Sequence, residues 1–319
     1  MINGGFIPKS VTTDEVTITS TAGTISVKDG GITGAKIGFY PTSLFFGDSS
    51  DGAGTGNITI STAIKQYSSL TINNGETLAF SGLGKYIVYV AGNLSISGAV
   101  TISDRAGNVP TTYDAGTATT TGGTAILKIG VYSLDMPAEA SSGLGGGALN
   151  AGGGGGGSYG AGGSGGASNN SGGYGCGTAG AGKATVWFIV KGTVTFGATA
   201  TIAGAGGTGG NGGTFSGGNY GSGGGGGGGG ANIRIFSIGN VTIAAGATGT
   251  LNGGAAGNGG DGVSGGGGGG GGGAGGSWIV TTAGTYTNSG TITAAGGALG
   301  TQGGHSAVNG TAGAAGLVV

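Results

Sequence analysis

Short runs in which every second residue is apolar recur along the chain, and the sharpest are Asn57-Ile58-Thr59-Ile60 and Leu94-Ser95-Ile96. A period of two sends alternate side chains to opposite faces, so these runs predict half-buried β-strands. Thr185-Val186-Trp187-Phe188-Ile189-Val190 is instead apolar almost without a break, which predicts a strand covered on both faces. Its Val, Ile and aromatic content, and its shortness, favour strand over buried helix. The segments VTITS, TISVKDGG and ITGAKIG near the start read as further short strands joined by turns.

Four of these apolar segments can be laid over one another on a shared glycine. They are YIVYVAGNLSISG around Gly92, TVWFIVKGTVTFG around Gly192, IRIFSIGNVTIAAG around Gly239 and WIVTTAGTYTNSG around Gly284. Each is an apolar strand, a glycine, a second short strand and a glycine or alanine turn. The last two intervals are 47 and 45 residues, the kind of period that marks a repeat fold. Each unit would stack on the next and bury a core that one unit alone could not. The expected fold is all-β, built of β-solenoid or β-sandwich-like repeats.

Composition divides the chain into residues 1–42, which hold much of the ordinary charge, 43–142, rich in Thr, Ser, Ile and Val, and 143–319. The last region carries 71 of the 92 glycines and only four charged residues, Lys183, Lys191, Arg234 and Asp261. Near-pure glycine runs, Gly223–Gly230 and Gly265–Gly273, stand just ahead of the Ile233 and Trp278 strands, and Gly152–Gly157 lies further ahead of the Trp187 strand. An ordered glycine costs about 0.5–1 kcal/mol more backbone entropy than alanine, so selection for bulk stability would not place them there. Close approach of backbones would. Such runs can adopt the extended polyproline II helix and pack side by side through main-chain hydrogen bonds. With only four prolines and no Gly-X-Y period, collagen is excluded. With 36% hydrophobic residues and a net charge of −1, so is disorder of the whole chain.

The near-neutral balance argues against nucleic acid and against acidic lipid surfaces. No run long and apolar enough for a membrane-spanning helix occurs, and the start has no apolar signal-like core. A single cysteine, Cys176, rules out an internal disulfide framework. Catalytic signatures are missing: His305 is the only histidine, and the acids are scattered. Asp48-Ser49-Ser50-Asp51-Gly52 lacks the spacing and final Glu of a calcium loop, and no Gly-Lys-Ser/Thr follows a glycine run. No catalytic residue, metal or cofactor is expected. The candidates for contact with a receptor are the large or polar residues that interrupt the glycine: Tyr159, Asn169, Asn170, Tyr174, Phe215, Asn219, Tyr220 and His305. An aromatic ring at a loop tip offers a flat apolar face with a polar edge, suited to sugars and protein loops.

The segment ISVKDGGITGAKIG resembles the connector repeats of bacteriophage tail-fibre and virion-fibre proteins. FFGDSSDGAGTGNITIS, SLTINNGETLAF and VAGNLSISGAV resemble glycine-rich phage tail proteins that open with a Phe-Gly-Asp-Gly-Ser-Asp-Gly element; here Ser49 stands in for a glycine of that element. The glycine-rich part is similar in style to tail-fibre tip adhesins in which packed polyglycine helices present receptor-binding loops. The resemblance implies a fibrous virion protein, a homotrimer working outside the cell. Residues 1–42 would attach to other virion proteins, and loops on the glycine scaffold would contact a host surface glycan or protein. The other reading is a purely structural fibre component that packs against its own copies.

Overall fold

The computed structural model describes residues 46–104, 126–129, 132–135, 177–214, 221–304 and 307–319. The chain winds through six coils, each giving one strand to each of three sheets. The first coil is β1 (Ala53–Thr55), β2 (Ile58–Ile60) and β3 (Ile64–Tyr67); the second is β4 (Ser69–Ile72), β5 (Thr77–Phe80) and β6 (Lys85–Val90). The third begins with β7 (Leu94–Ile96) and β8 (Ala99–Ile102), is interrupted by an antiparallel pair, β9 (Ile126–Ile129) and β10 (Tyr132–Asp135), and closes with β11 (Thr185–Val190). The fourth is β12 (Val194–Phe196), β13 (Thr201–Ala203) and β14 (Asn232–Ser237). The fifth is β15 (Val241–Ile243), β16 (Thr248–Thr250) and β17 (Ser277–Thr282), and the last is β18 (Tyr286–Asn288), β19 (Thr291–Thr293) and β20 (Leu317–Val318). The first sheet runs β1-β4-β7-β12-β15-β18, the second β2-β5-β8-β13-β16-β19 and the third β3-β6-β11-β14-β17-β20, and every pairing within them is parallel.

This is a three-sided parallel β-solenoid. Of the two expected repeat types, the solenoid is the one found. The shared glycines form a column: the Gly192 N–H donates to the Gly92 carbonyl over 2.9 Å, and a methyl at Gly239 would meet the Gly192 carbonyl. The compositional step near residue 143 is no break in the sheets, because β6, β7 and β8 pair directly with β11, β12 and β13. Asp104 and Lys183 close the long excursion of the third coil with an ion pair of 2.7 Å at the point where the chain leaves β8 and returns to β11.

Inward residues stack into one core. Leu70, Leu94, Val194 and Val241 come from the first sheet, Leu78, Val100 and Ile202 from the second, and Val88, Phe188 and Ile235 from the third. Each such side chain contributes about 1.5–3 kcal/mol on burial. Phe80 anchors the aromatic part, 5.1 Å from Tyr86 and edge-on to Phe188 at 6.1 Å, while the buried Tyr86 hydroxyl accepts the Leu83 N–H. The strand β11 is buried at all six positions, as its unbroken apolar run predicts. Its outward Trp187 and Ile189 are flanked on the same face by Ile87, Tyr89 and Phe236 of the neighbouring strands, and Phe46 joins the cluster around Ile189.

The glycine-rich stretches between the second and third sheets are ordered legs. Outgoing legs (204–214, 251–261, 294–304) prolong β13, β16 and β19; returning legs (177–183, 221–231, 265–276, 307–316) lead into β11, β14, β17 and β20. Hydrogen bonds recur every third residue. Gly206, Gly209 and Gly212 donate to Asn252, Ala255 and Asn258 of the next outgoing leg, a parallel pairing. Gly224, Gly227 and Gly230 donate in the same way to Gly268, Gly271 and Ala274 of the next returning leg. A second set joins the layers in antiparallel sense, with Gly225, Gly228 and Ala231 donating to Gly210, Gly207 and Gly204.

Candidate functional site

What the legs present to solvent follows from that three-residue recurrence. One position in three faces the parallel neighbour, one faces the other layer, and the third is left over. In the outgoing leg Gly206-Gly207-Thr208-Gly209-Gly210-Asn211-Gly212-Gly213-Thr214 the leftover positions carry the side chains, and Thr208, Asn211 and Thr214 are exposed. Returning legs 221–231 and 265–276 are buried throughout and have almost no side chains. The leg 307–316 needs glycine only at Gly310, Gly313 and Gly316, where a methyl would overlap carbonyls of Gly270, Gly273 and Gly276. Glycine content per triplet therefore counts packed faces.

The polar residues among these glycines do structural work first. Asn211 Oδ1 accepts the N–H of Asn258 at 2.9 Å, and Asn258 Oδ1 accepts that of Thr301 at 3.0 Å. Asn252 does the same for Ala295 at 2.8 Å. At these three positions an outward N–H that has no partner among the legs is thus capped by a side chain of the preceding rank. Sequence reading assigned Asn residues at glycine breaks to receptor contact and missed this ladder; its signal is the spacing of 47 residues between Asn211 and Asn258, the repeat interval itself.

The far ends of the outgoing legs stand in register. The Asp261 N–H points to Thr214 Oγ1, and the Gly304 N–H donates to an Asp261 carboxylate oxygen. One link beyond them is described, Gly262-Val263-Ser264, with Val263 64% exposed at its tip. Phe215, Asn219 and Tyr220 belong by chain connectivity to the link from leg 204–214 to leg 221–231, and His305 to that from 294–304 to 307–316. All eight sequence candidates, these four together with Tyr159, Asn169, Asn170 and Tyr174, lie outside the described residues.

The outer faces of the solenoid differ. The first sheet presents a single file of hydroxyls in register, Thr55, Thr71, Ser95, Thr195, Thr242 and Thr287. The second presents two files of threonine and alanine, including Thr201, Thr248 and Thr291 in one and Ala203, Thr250 and Thr293 in the other. A shallow groove of about 350 Å³ runs there between Lys183, Thr201, Ala205, Thr248 and Thr250. On the third sheet Trp187 is buried with Lys85 and Arg234 cations 5.9 and 5.4 Å from its ring, a packed arrangement rather than an open cleft.

Among the described residues, the carboxyl groups held below their ordinary value lie in the turn ahead of β1. Ser50 N–H donates to Asp48 Oδ1 at 2.9 Å, an Asx turn, and Ser49 holds a positive φ of 61°. Asp51 bonds Lys65 at 2.7 Å and the Gln66 N–H at 2.6 Å, which straps the turn to β3. The Lys65 hydrogen bond holds the Asp51 carboxyl below the ordinary carboxylate value. Asp48 is lowered too, chiefly by its bonds from Ser50. Both groups serve the turn. Among the described residues no three His, Cys, Asp or Glu side chains gather as a metal site, and no helix is long and apolar enough to cross a membrane. What the described residues leave to solvent is a row of leg ends and, on the first and second sheets, files of small uncharged side chains. No protein-family model, curated protein or solved structure matches the chain.

Proposed function

We propose that this chain is a non-enzymatic fibre protein of a bacteriophage virion, and that it adheres to the host cell surface through the links at the far ends of its glycine legs. In this reading the legs are polyproline II-type helices, the protein is a homotrimer acting outside the cell, and residues 1–42 attach it to other virion proteins. The single observation that supports the reading best is the registered row of tips. Thr214, Asp261 and Gly304 end three parallel legs side by side, so the chain leaves all three legs from neighbouring points. Contacts that are weak one at a time multiply when several links and several copies engage at once. A glycan or protein loop on the host surface is the partner expected of aromatic and amide side chains in such links.

The test is binding of the labelled full chain to a panel of intact bacterial cells. Phe215→Ala with Tyr220→Ala is expected to lower binding at least tenfold on the cells that bind, with the thermal midpoint unchanged. No binding to any cell, or binding that survives the tip changes, would sink the proposal.

A further inference from the structure

The second sheet does not end where its strands end. Gly204 donates to Thr250, Gly206 to Asn252 and Gly209 to Ala255, so the outgoing legs continue the same parallel ranks. Thr201 and Thr248 line the same groove as Ala205, which puts the strand files and the outward leg positions on one side of the molecule. The result is one continuous face. Its outward side chains are Thr, Ala and Asn; the Asp104–Lys183 ion pair borders it, and Asp261 sits at the tip end.

We propose that this face is where copies of the chain pack together. Three observations point to a second copy as the occupant. First, the area suits one: six strands about 4.8 Å apart, extended by three legs of eleven residues, give roughly 750 Å², near the roughly 800 Å² per partner of a standard interface. Second, the electrostatics permit one: apart from Asp261 at the tip end the face carries no net charge, since Asp104 and Lys183 offset each other, and the whole chain carries only −1. Third, part of the outward backbone is already hydrogen-bonded. Asn211, Asn252 and Asn258 cap outward N–H groups, so covering them strands few donors. Small side chains let two such faces approach to sheet-packing distance, about 10 Å. The absence of aromatic rings from the described part of the face disfavours a sugar polymer, which stacks on such rings. The inference deepens the fibre reading by naming the surface of self-assembly, and it stands or falls apart from cell adhesion.

Sedimentation equilibrium of the full chain over a hundredfold range of concentration tests it. The chain is expected to be an oligomer. Thr201→Lys with Thr250→Lys should weaken association at least a hundredfold, whereas Thr195→Lys with Thr242→Lys, on the first sheet, should leave it unchanged. Thr250→Ser keeps a small neutral side chain and should associate as the parent does; circular dichroism of each variant reports that the fold is intact. A monomer at every concentration overturns the proposal, as does an oligomer indifferent to the lysines. Loss of cell binding by the second-sheet variant of a chain that is always monomeric would make the face a receptor surface, again overturning it.

Discussion

Glycine does two different jobs in the two halves of this solenoid. In residues 46–104 five of the nine glycines, Gly47, Gly52, Gly56, Gly75 and Gly82, turn the backbone to positive φ, and Gly75, with φ 85°, has nothing within 4 Å of where a Cβ would sit. In the legs of residues 177–316 the need is for space. A methyl on Gly270 would overlap the Gly225 carbonyl oxygen, and one on Gly227 the Gly254 carbonyl oxygen, in backbone that has no positive φ. The first use is conformational and local, the second steric and long-range. A glycine count alone does not tell them apart; the neighbour does.

Substitution by alanine separates the two most sharply in the lattice. Gly270→Ala is expected to cost about 3 kcal/mol or more, because the backbone it meets cannot yield as a side chain can. The same change at Gly304, where the nearest atom is an Asp261 carboxylate oxygen at 3.4 Å, should cost no more than about 0.5 kcal/mol. Urea unfolding of both variants checks the pair, and equal losses would break the comparison. In the first region Gly75→Ala is expected to lose about 1–2 kcal/mol from the left-handed backbone alone, with Gly75→Asn losing less. If asparagine proved no better than alanine, the conformational account of that region would fail.

The smallest effect has the opposite sign. Ser49 occupies a left-handed position in the turn held by Asp48 and Asp51. Ser49→Gly relieves that strain and raises unfolded-state entropy, for a net gain of about 0.5–1 kcal/mol in stability. Thermal unfolding of the variant reads it directly. The same residue interrupts the Phe-Gly-Asp-Gly-Ser-Asp-Gly pattern, so the glycine of that pattern has a conformational reason.

Much of the fold was legible. The period-two runs at Ile58–Ile60 and Leu94–Ile96 are strands, the unbroken run at Thr185–Val190 is covered on both faces, and the glycines at 92, 192 and 239 stack in a column. The second strand of each later coil was not legible. Thr201–Ala203, Thr248–Thr250 and Thr291–Thr293 point one residue inward apiece, and at Gly249 that residue has no side chain, its place being taken up by Ile202 and Ile292. One apolar residue in three leaves no period to detect. The candidate surface was hidden for the same reason, since a file such as Thr201, Thr248 and Thr291 is assembled from residues more than 40 positions apart.

By itself the sequence determined the strand type, the repeat interval and the glycine density of each leg, because these depend on side-chain periodicity and on whether a Cβ is present. Tertiary structure decided which legs pair, in which sense, and how many faces each buries. Those choices belong to hydrogen bonds between backbones that are chemically alike, such as Gly225 to Gly210 and Gly224 to Gly268, and identical glycines carry no label for their partners. The partners are assigned by the sheets, which hold each leg at its root in the register of the coil it leaves.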